Sequence, residues 1–189
     1  MAPGLHPDNQ PNLVLIGYRA TGKTAVGARL AETLGRSFVD LDQVLVQEAG
    51  ESIADIVAQG GWAEFRQREK ELVARFRRTQ GQVLATGGGV VLDPENVAAL
   101  RENGIIIWLT ADPETIQARL TQDQLRDPNR PSLTGGGTIR EVAAVLEQRY
   151  PLYQAAAQIT VDTTQRDVAQ VVDAVLATVK LKEAGSLGG

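Results

Sequence analysis

One octapeptide near the start of the chain constrains the fold more than any other feature. Residues 17–24 read Gly-Tyr-Arg-Ala-Thr-Gly-Lys-Thr, the pattern G-x-x-x-x-G-K-S/T, and the apolar run Leu13–Ile16 leads directly into them. The glycines allow a tight turn in which backbone N–H groups converge on one anion, at the positive end of the helix that follows. The Lys23 ammonium can reach phosphate oxygens there, and the Thr24 hydroxyl is a hard ligand suited to Mg²⁺. The strand before and the helix after are the context that this pattern requires, so nucleotide binding is predicted.

Short apolar runs alternate with helical periodicity along the chain. The five runs are Leu13–Ile16, Ser37–Val39, Gln82–Ala85, Ile105–Leu109 and Gln158–Val161. Strands that alternate with helices indicate βαβ units, so we predict an α/β fold with three α/β/α layers around a five-stranded parallel sheet. Ligands of such sheets bind outside the carboxyl ends of the strands. We expect one domain over residues 12–181, with flexible tails at residues 1–11 and 182–189.

Composition excludes several kinds of chemistry. The 189 residues contain no cysteine, so disulfides, zinc–thiolate sites and a cysteine nucleophile are excluded, and the one histidine, His6, lies in a polar stretch before the first apolar run. The net charge of −4 gives no basic signature of a nucleic-acid partner. Neither a membrane span of ~18 apolar residues nor a signal peptide is evident, so a cytoplasmic protein is expected, and we expect it to be a monomer.

Two carboxylates end the second predicted strand. Asp40 and Asp42 are two residues apart, and strand residues at that spacing point to the same side. A helix cap and a solvated acid would explain the pair equally well if it stood alone. Because the pair should lie beside the phosphate loop, one acid is a candidate to organise Mg²⁺ and its waters, and the other to accept a proton from a substrate hydroxyl.

The third predicted strand leads into three consecutive glycines, Gly87–Gly89. Glycines at a strand tip permit a close approach of a ligand to the backbone, although a loose loop is the alternative. A helix of about Trp62–Arg78 precedes this strand, and we expect most of its apolar face to pack in the core. Most of its charged side chains are expected on a solvated face, but one arginine turned into the pocket would bind a substrate carboxylate in a bidentate manner; the candidates are Arg66, Arg68, Arg75, Arg77 and Arg78.

The helical pattern breaks over Thr121–Gly137. A polar segment of this length within a compact domain is typical of a functional loop. Phosphoryl transfer needs water to be excluded, so we interpret residues of about 122–137 as a lid that carries Arg126 or Arg130. A plain surface loop is the alternative.

The order and spacing of seven short stretches resemble the shikimate kinase family over residues 13 to about 176. The stretches are GYRATGKTAVGARLA, FVDLD, GESIADI, GWAEFR, LATGGGVV, RPSLT and REVAAVLEQRYPLY. Two of them, GWAEFR and RPSLT, are similar to the second bacterial type of the family. Ala20 departs from the glycine that is common in the phosphate loop of this family.

The resemblance implies a P-loop kinase fold with a lid and transfer of the γ-phosphoryl group of ATP to the 3-hydroxyl of shikimate, in aromatic amino-acid biosynthesis. It implies that Lys23, Asp42 and Arg130 are catalytic, with Asp42 as the candidate base, and that Thr24 and Asp40 hold Mg²⁺. The residues implied to bind ATP are Gly17, Arg19, Ala20, Thr21, Gly22, Lys23, Thr24, Ala25 and Arg130. The residues implied to bind shikimate are Asp42, Arg66, Gly87, Gly88, Gly89 and Arg149.

Two other kinds of function remain open from the sequence. Another small-molecule kinase of P-loop fold, for gluconate or a nucleoside monophosphate, is the nearest alternative, and Arg66, Arg149 and the glycine triplet argue against it. A nucleotide-binding regulatory module that lacks turnover is the alternative from a different class. A GTPase is disfavoured because the Asn-Lys-x-Asp stretch that reads guanine is not present.

Overall fold

The five apolar runs form the five strands of one parallel sheet. The computed structural model describes residues 10–126 and 139–186. The strands are β1 Asn12–Ile16, β2 Phe38–Asp40, β3 Val83–Ala85, β4 Gly104–Thr110 and β5 Ile159–Asp162. The helices are α1 Lys23–Leu34, α2 Leu41–Ala49, α3 Ile53–Phe76, α4 Pro94–Glu102, α5 Pro113–Arg126, α6 Ile139–Ala156 and α7 Val168–Ser186, with a short 3₁₀ helix at Val90–Leu92.

The strand order places β1 at the centre of the sheet. The order is β2-β3-β1-β4-β5, and all neighbours are parallel. The centre of β1 pairs with β3 on one side and β4 on the other, with Val14 opposite Leu84 and Ile106. The carboxyl end of β1 therefore lies between the ends of two other strands, so the loop after β1 is flanked on both sides.

Alternate side chains of β1 enter two separate cores. Leu13 and Leu15 pack with apolar residues of α1 and α7, while Val14 and Ile16 pack with those of α2, α3, α4 and α6. All four side chains are at most 1% exposed. A strand that is buried on both faces accounts for the continuous apolar run in the sequence. This confirms the predicted α/β class, with three layers and five parallel strands.

Two helices begin at an Asp-Pro pair whose aspartate serves as the N-terminal cap. Asp93 caps α4 by accepting a hydrogen bond from the Glu95 N–H at 2.8 Å, and Pro94 is the first helical residue. Asp112 accepts one from the Thr115 N–H at 2.6 Å at the start of α5. Because a capping side chain and an N-terminal proline both match the needs of a helix start, these boundaries follow from local sequence.

Two predicted boundaries differ from the structure. Helix α5 continues to Arg126, so the predicted lid cannot begin as a loop at residue 122; polar residues with good helix propensity extend the helix beyond its apolar pattern. Helix α7 continues to Ser186, so residues 182–186 of the predicted C-terminal tail are helical. Residues 127–138 and 187–189, which include the remainder of the lid, lie outside the described residues, as do residues 1–9.

The helix expected at Trp62–Arg78 is the second half of a longer element. Helix α3 begins at Ile53, where Ser52 and Asp55 form a capping box, and it is broken at Gly61, whose φ of 72° and ψ of 178° are not helical. Trp62, one of the apolar residues of this helix, is 42% exposed and is not part of the core. Along the described parts of the chain, no helix combines the length and apolarity needed to cross a bilayer.

Candidate active site

The loop between β1 and α1 curls around the ammonium of Lys23. The Lys23 Nζ donates hydrogen bonds to the carbonyl oxygens of Gly17 at 2.9 Å and Tyr18 at 2.8 Å. Gly17 has a φ of 144°, and a Cβ there would overlap the carbonyl oxygen of Leu109 on β4. Glycine is therefore required at this position both by the backbone conformation and by the neighbouring strand.

Ala20 occupies a conformation that usually requires glycine. Its φ is 59°, the left-handed region, and it is the one described non-glycine residue with a positive φ. The Arg119 guanidinium lies against it: Nη1 donates to the Ala20 carbonyl oxygen at 3.3 Å, while Nη2 donates to the Thr163 carbonyl oxygen at 2.7 Å. Arg119, which the sequence analysis did not identify, thus ties the loop to the segment that follows β5. Arg19 and Thr21 lie in the same loop, half-buried and buried respectively, and Ala25 is exposed in the first turn of α1.

The two residues predicted to hold the metal are in direct contact. The Thr24 hydroxyl donates to the Asp40 Oδ2 at 2.7 Å. The Asp40 Oδ1 accepts the backbone N–H groups of Asp42 at 3.1 Å and Gln43 at 3.4 Å, so Asp40 is also the N-cap of α2. A hydroxyl and a carboxylate at this point are the hard oxygen donors that Mg²⁺ prefers, and the donor set fits that ion.

Asp42 is not on the strand, contrary to the sequence argument. β2 ends at Asp40 and Asp42 lies in the first turn of α2. The helix nevertheless directs its carboxylate to the glycine triplet, since a Cβ on Gly87 would lie 2.8 Å from the Asp42 Oδ1. The expected neighbourhood of Asp42 is therefore present, but a helix start produces it rather than strand alternation.

Each glycine of the triplet faces a different component of the site. A Cβ on Gly87 would meet the Asp42 and Glu69 carboxylates, one on Gly88 would lie 3.4 Å from the Gly17 carbonyl oxygen, and one on Gly89 would overlap the Arg66 guanidinium. Gly87–Gly89 have no positive φ. A side chain at Gly87 or Gly89 would therefore displace a charged group of the site, whereas a Cβ at Gly88 would meet the phosphate loop at ordinary contact distance.

Arg66 is held beside the triplet by an acidic residue of the same helix. The Arg66 Nη1 lies 2.6 Å from the Glu69 Oε2, and its guanidinium carbon lies 5.6 Å from the Trp62 ring centre and 5.0 Å from that of Phe65. The partly exposed Trp62 therefore covers the charged end of Arg66 rather than filling the core.

Glu69 is a buried acid that the sequence analysis missed. It is only 4% exposed, and burial raises the pKa of its carboxyl, an effect that Arg66 partly offsets. Its Oε1 has no hydrogen-bond partner within the described part of the chain. Because that oxygen lies 2.9 Å from where a Gly87 Cβ would be, it is directed at Gly87, as the Asp42 carboxylate is.

Arg149 approaches the triplet from α6. Its Nη1 donates to the Gly88 carbonyl oxygen at 3.2 Å, and the Tyr153 hydroxyl donates to the same oxygen in a short hydrogen bond. Burial raises the pKa of Tyr153 to about 12, although the charges of Arg149 and Arg66 lower it. Both arginines therefore lie within electrostatic reach of one hydroxyl, which places two cations at the glycine turn. Tyr153, like Glu69, was not predicted.

The structure thus unites most of the predicted site. Two neighbouring loops, which lie side by side at Gly17 and Gly88, are surrounded by Lys23, Thr24, Asp40, Asp42, Arg66 and Arg149. Arg130 lies outside the described residues. For Arg126 the described structure is limited to its backbone, as the last residue of α5.

A phosphate loop at the centre of a parallel sheet, with acids and arginines at the neighbouring strand tips, defines a P-loop kinase. The protein-family model for shikimate kinase matches residues 19–180. The chain belongs to the shikimate kinase family, whose members use ATP with Mg²⁺ to phosphorylate a hydroxyl of shikimate.

Individual relatives agree with this membership. The chain is 44% identical to the shikimate kinase of Symbiobacterium thermophilum over 94% of its own length and 99% of the relative's. It is 41% identical to that of Syntrophus aciditrophicus, over 87% and 89% of the two chains. The solved shikimate kinase of Acinetobacter baumannii in complex with shikimate is similar, with a TM-score of 0.83, 32% identity and coverage of 93% and 96%. The predicted family, enzyme class and cofactors are confirmed, and these relatives give no support to a gluconate or nucleoside-monophosphate kinase.

Proposed function

We propose that this protein transfers the γ-phosphoryl group of ATP to the 3-hydroxyl of shikimate, giving shikimate 3-phosphate and ADP. One observation carries the proposal: Arg66, Arg149 and Asp42 converge on a glycine turn that lies beside the phosphate loop. Two cations and an acid match a ligand with one carboxylate and several hydroxyls. The position of Gly88 beside Gly17 would place donor and acceptor next to each other.

The phosphate loop supplies the donor side. The backbone N–H groups of residues 17–25 and the Lys23 ammonium would bind the β- and γ-phosphates, and Lys23 would exchange the carbonyl oxygens of Gly17 and Tyr18 for phosphate oxygens. Thr24 and Asp40 would hold Mg²⁺. When bound, the ion neutralises charge that develops on the phosphates. Arg130 is proposed to close over the same phosphates.

The acceptor side is proposed to orient shikimate. Arg66 and Arg149 would bind its carboxylate in charge-assisted hydrogen bonds. Asp42 would accept hydrogen bonds from its hydroxyls and take the proton of the attacking one, with Gly87–Gly89 against the ring. Since phosphoryl transfer depends mainly on positioning and charge neutralisation, the base makes only part of the contribution.

An ADP-release assay tests the activity directly. Purified protein with ATP should release ADP when shikimate is added, and should do so only with Mg²⁺. Gluconate and nucleoside monophosphates serve as control acceptors and should give no more than the background ATPase rate. Turnover of a control acceptor, or no turnover of shikimate above background, would contradict the proposal.

Four features of this protein stay predictions. They are a monomeric state, a cytoplasmic location, the lack of a nucleic-acid or membrane partner, and membership of the second bacterial type.

A further inference from the structure

The carbonyl group of Gly88 receives two hydrogen bonds from one helix. Arg149 and Tyr153 are four residues apart on α6, a spacing that places them on the same face. The Arg149 Nη1 donates to the Gly88 oxygen at 3.2 Å, and the Tyr153 hydroxyl is the second donor. One of the two donors is an arginine proposed to bind the substrate carboxylate, so a shift of the Arg149 side chain toward the substrate would break its hydrogen bond to the backbone.

Tyr153 is built into the fold far more firmly than Arg149. It is 0% exposed, and its ring stacks on Trp108 of β4, with ring centres 5.6 Å apart and planes within 18°. A pKa of about 12 keeps the hydroxyl protonated near neutral pH, so it remains a donor there. Arg149 is half-buried and carries further N–H groups that can serve an anion.

Gly88 also lies beside the phosphate loop. Its Cα faces the backbone of Gly17, Tyr18 and Arg19, where an added Cβ would come within 3.4–3.7 Å. The Gly88 peptide therefore lies between the phosphate loop on one side and α6, which holds its carbonyl group by hydrogen bonds, on the other. A rotation of this peptide would alter the surface on which the acceptor rests.

We propose that Tyr153 is a positioning residue for the acceptor site: its hydroxyl keeps the Gly88 carbonyl group hydrogen-bonded when Arg149 leaves that oxygen to bind the carboxylate of shikimate. In the free protein, both donors serve the oxygen. In the complex, Tyr153 alone serves it, and the glycine turn keeps its orientation. The inference rests on the proposed role of Arg149 in the function above.

The Tyr153→Phe variant removes the hydroxyl and keeps the ring on Trp108. In the free variant, Arg149 still satisfies the Gly88 oxygen, so the melting temperature should fall only slightly. In the complex, the half-buried oxygen would lose both of these donors, or Arg149 would stay on it and bind the carboxylate poorly. The dissociation constant and the KM for shikimate should therefore rise roughly 5- to 100-fold, the effect of leaving one half-buried acceptor unpaired.

Tyr150→Phe is the matched control. Tyr150 also packs on Trp108, with ring centres 5.0 Å apart, but it is 53% exposed. This variant should bind shikimate as the wild type does. For Tyr153→Phe, the KM for ATP should stay within about twofold, and the rise in melting temperature on adding shikimate should shrink, since that rise follows the affinity.

Four outcomes would overturn the inference. An unchanged affinity for shikimate in Tyr153→Phe would mean that Arg149 does not leave the carbonyl group. An equal loss of affinity for ATP and shikimate, or a free protein that is strongly destabilised or unfolded, would make Tyr153 a merely structural residue. Arg149→Lys distinguishes the inference from the proposed function. Normal shikimate affinity in Arg149→Lys would overturn both the proposed role of Arg149 and that of Tyr153. Weak shikimate binding in Arg149→Lys together with normal binding in Tyr153→Phe would overturn the role of Tyr153 alone.

Discussion

Replacement of Arg66 by alanine should separate its two roles, which are partner of a buried acid and ligand of the substrate. Arg66 and Glu69 form an ion pair with N and O 2.6 Å apart, and their side chains are 28% and 6% exposed. Removal of one member of a fully buried pair costs about 3–5 kcal/mol, because the other charge is left uncompensated. Water reaches Arg66, so we expect a smaller loss of about 2–3 kcal/mol. In a domain of this size, that loss lowers the melting temperature by about 4–12 °C.

The loss of folding stability in Arg66→Ala should depend on pH in a definite direction. Burial raises the pKa of Glu69 while Arg66 lowers it, so Arg66→Ala should raise that pKa further. A carboxyl group whose pKa is higher in the folded than in the unfolded state binds its proton more tightly when folded. Stability then falls as the pH rises from the unfolded pKa of about 4.3 through the folded one. The deficit of Arg66→Ala should therefore be greatest at pH 7–8 and should shrink toward pH 5.

Thermal unfolding at pH 5 and pH 8 measures this deficit, and a double variant isolates its cause. Arg66→Ala/Glu69→Gln removes the unpaired charge, so it should regain most of the melting temperature at pH 8. Arg68→Ala is the control on the same helix, because its ion pairs with Glu51 and Glu64 are open to solvent and should contribute little to stability. A deficit that is equal at both pH values, or that the double variant leaves unchanged, would refute the account of Glu69 as a buried charge held by Arg66.

The double variant Arg66→Ala/Glu69→Gln should regain stability but not the ability to bind substrate. Charge-assisted hydrogen bonds to a carboxylate contribute about 1.5–3 kcal/mol, so the KM for shikimate should rise roughly 10- to 100-fold in Arg66→Ala and in the double variant. The KM for ATP should change by less than about twofold. If both KM values rise equally, Arg66 has a structural role only.

Three further variants address the remaining parts of the site. Lys23→Ala should abolish turnover with a preserved fold, because it removes the cation of the phosphate loop; an unchanged kcat would rule out that role. Asp40→Asn keeps an N-cap for α2 but replaces the carboxylate that contacts Thr24. The Mg²⁺ concentration that gives the half-maximal rate should therefore rise by about tenfold or more, which is the loss expected when the ligand shell of a metal is disturbed. An unchanged Mg²⁺ dependence would show that Asp40 is not part of the metal site. Gly89→Ala places a methyl group on the Arg66 guanidinium, so the KM for shikimate should rise while that for ATP does not, and an unaltered shikimate KM would show that Arg66 can shift without loss.

The fold was largely predictable because its signals are local. Each strand of the sheet is a short apolar run, and the phosphate loop follows β1 with the spacing that its chemistry requires. Boundaries in polar sequence were less predictable. The continuation of α5 to Arg126 has no apolar periodicity to mark it, and polar helix-forming residues are compatible with either a helix or a loop.

The site residues that escaped prediction act through contacts distant in sequence. Glu69 is one of several acids on a charged helix, and no pattern in the amino-acid sequence shows that this particular acid is buried. Arg119 binds the Ala20 carbonyl group across 99 residues, and Tyr153 reaches Gly88 across 65. Asp42 was placed correctly for the wrong reason, since a helix start rather than a strand directs it. Such contacts depend on which strands become neighbours, and no local pattern specifies that order.

The central position of β1 has a consequence for how this chain acquires activity during synthesis. The strand that carries the phosphate loop is made first, yet its partners are β3, some 70 residues later, and β4, which ends at Thr110. Pairing over such separations closes large loops, which slows folding. Until β4 has left the ribosome, β1 has an unpaired edge, and the wall formed by Leu109 behind Gly17 is missing. We therefore expect nascent chains that end before β4 to bind no nucleotide, and the acceptor side to be completed later still, when α6 delivers Arg149.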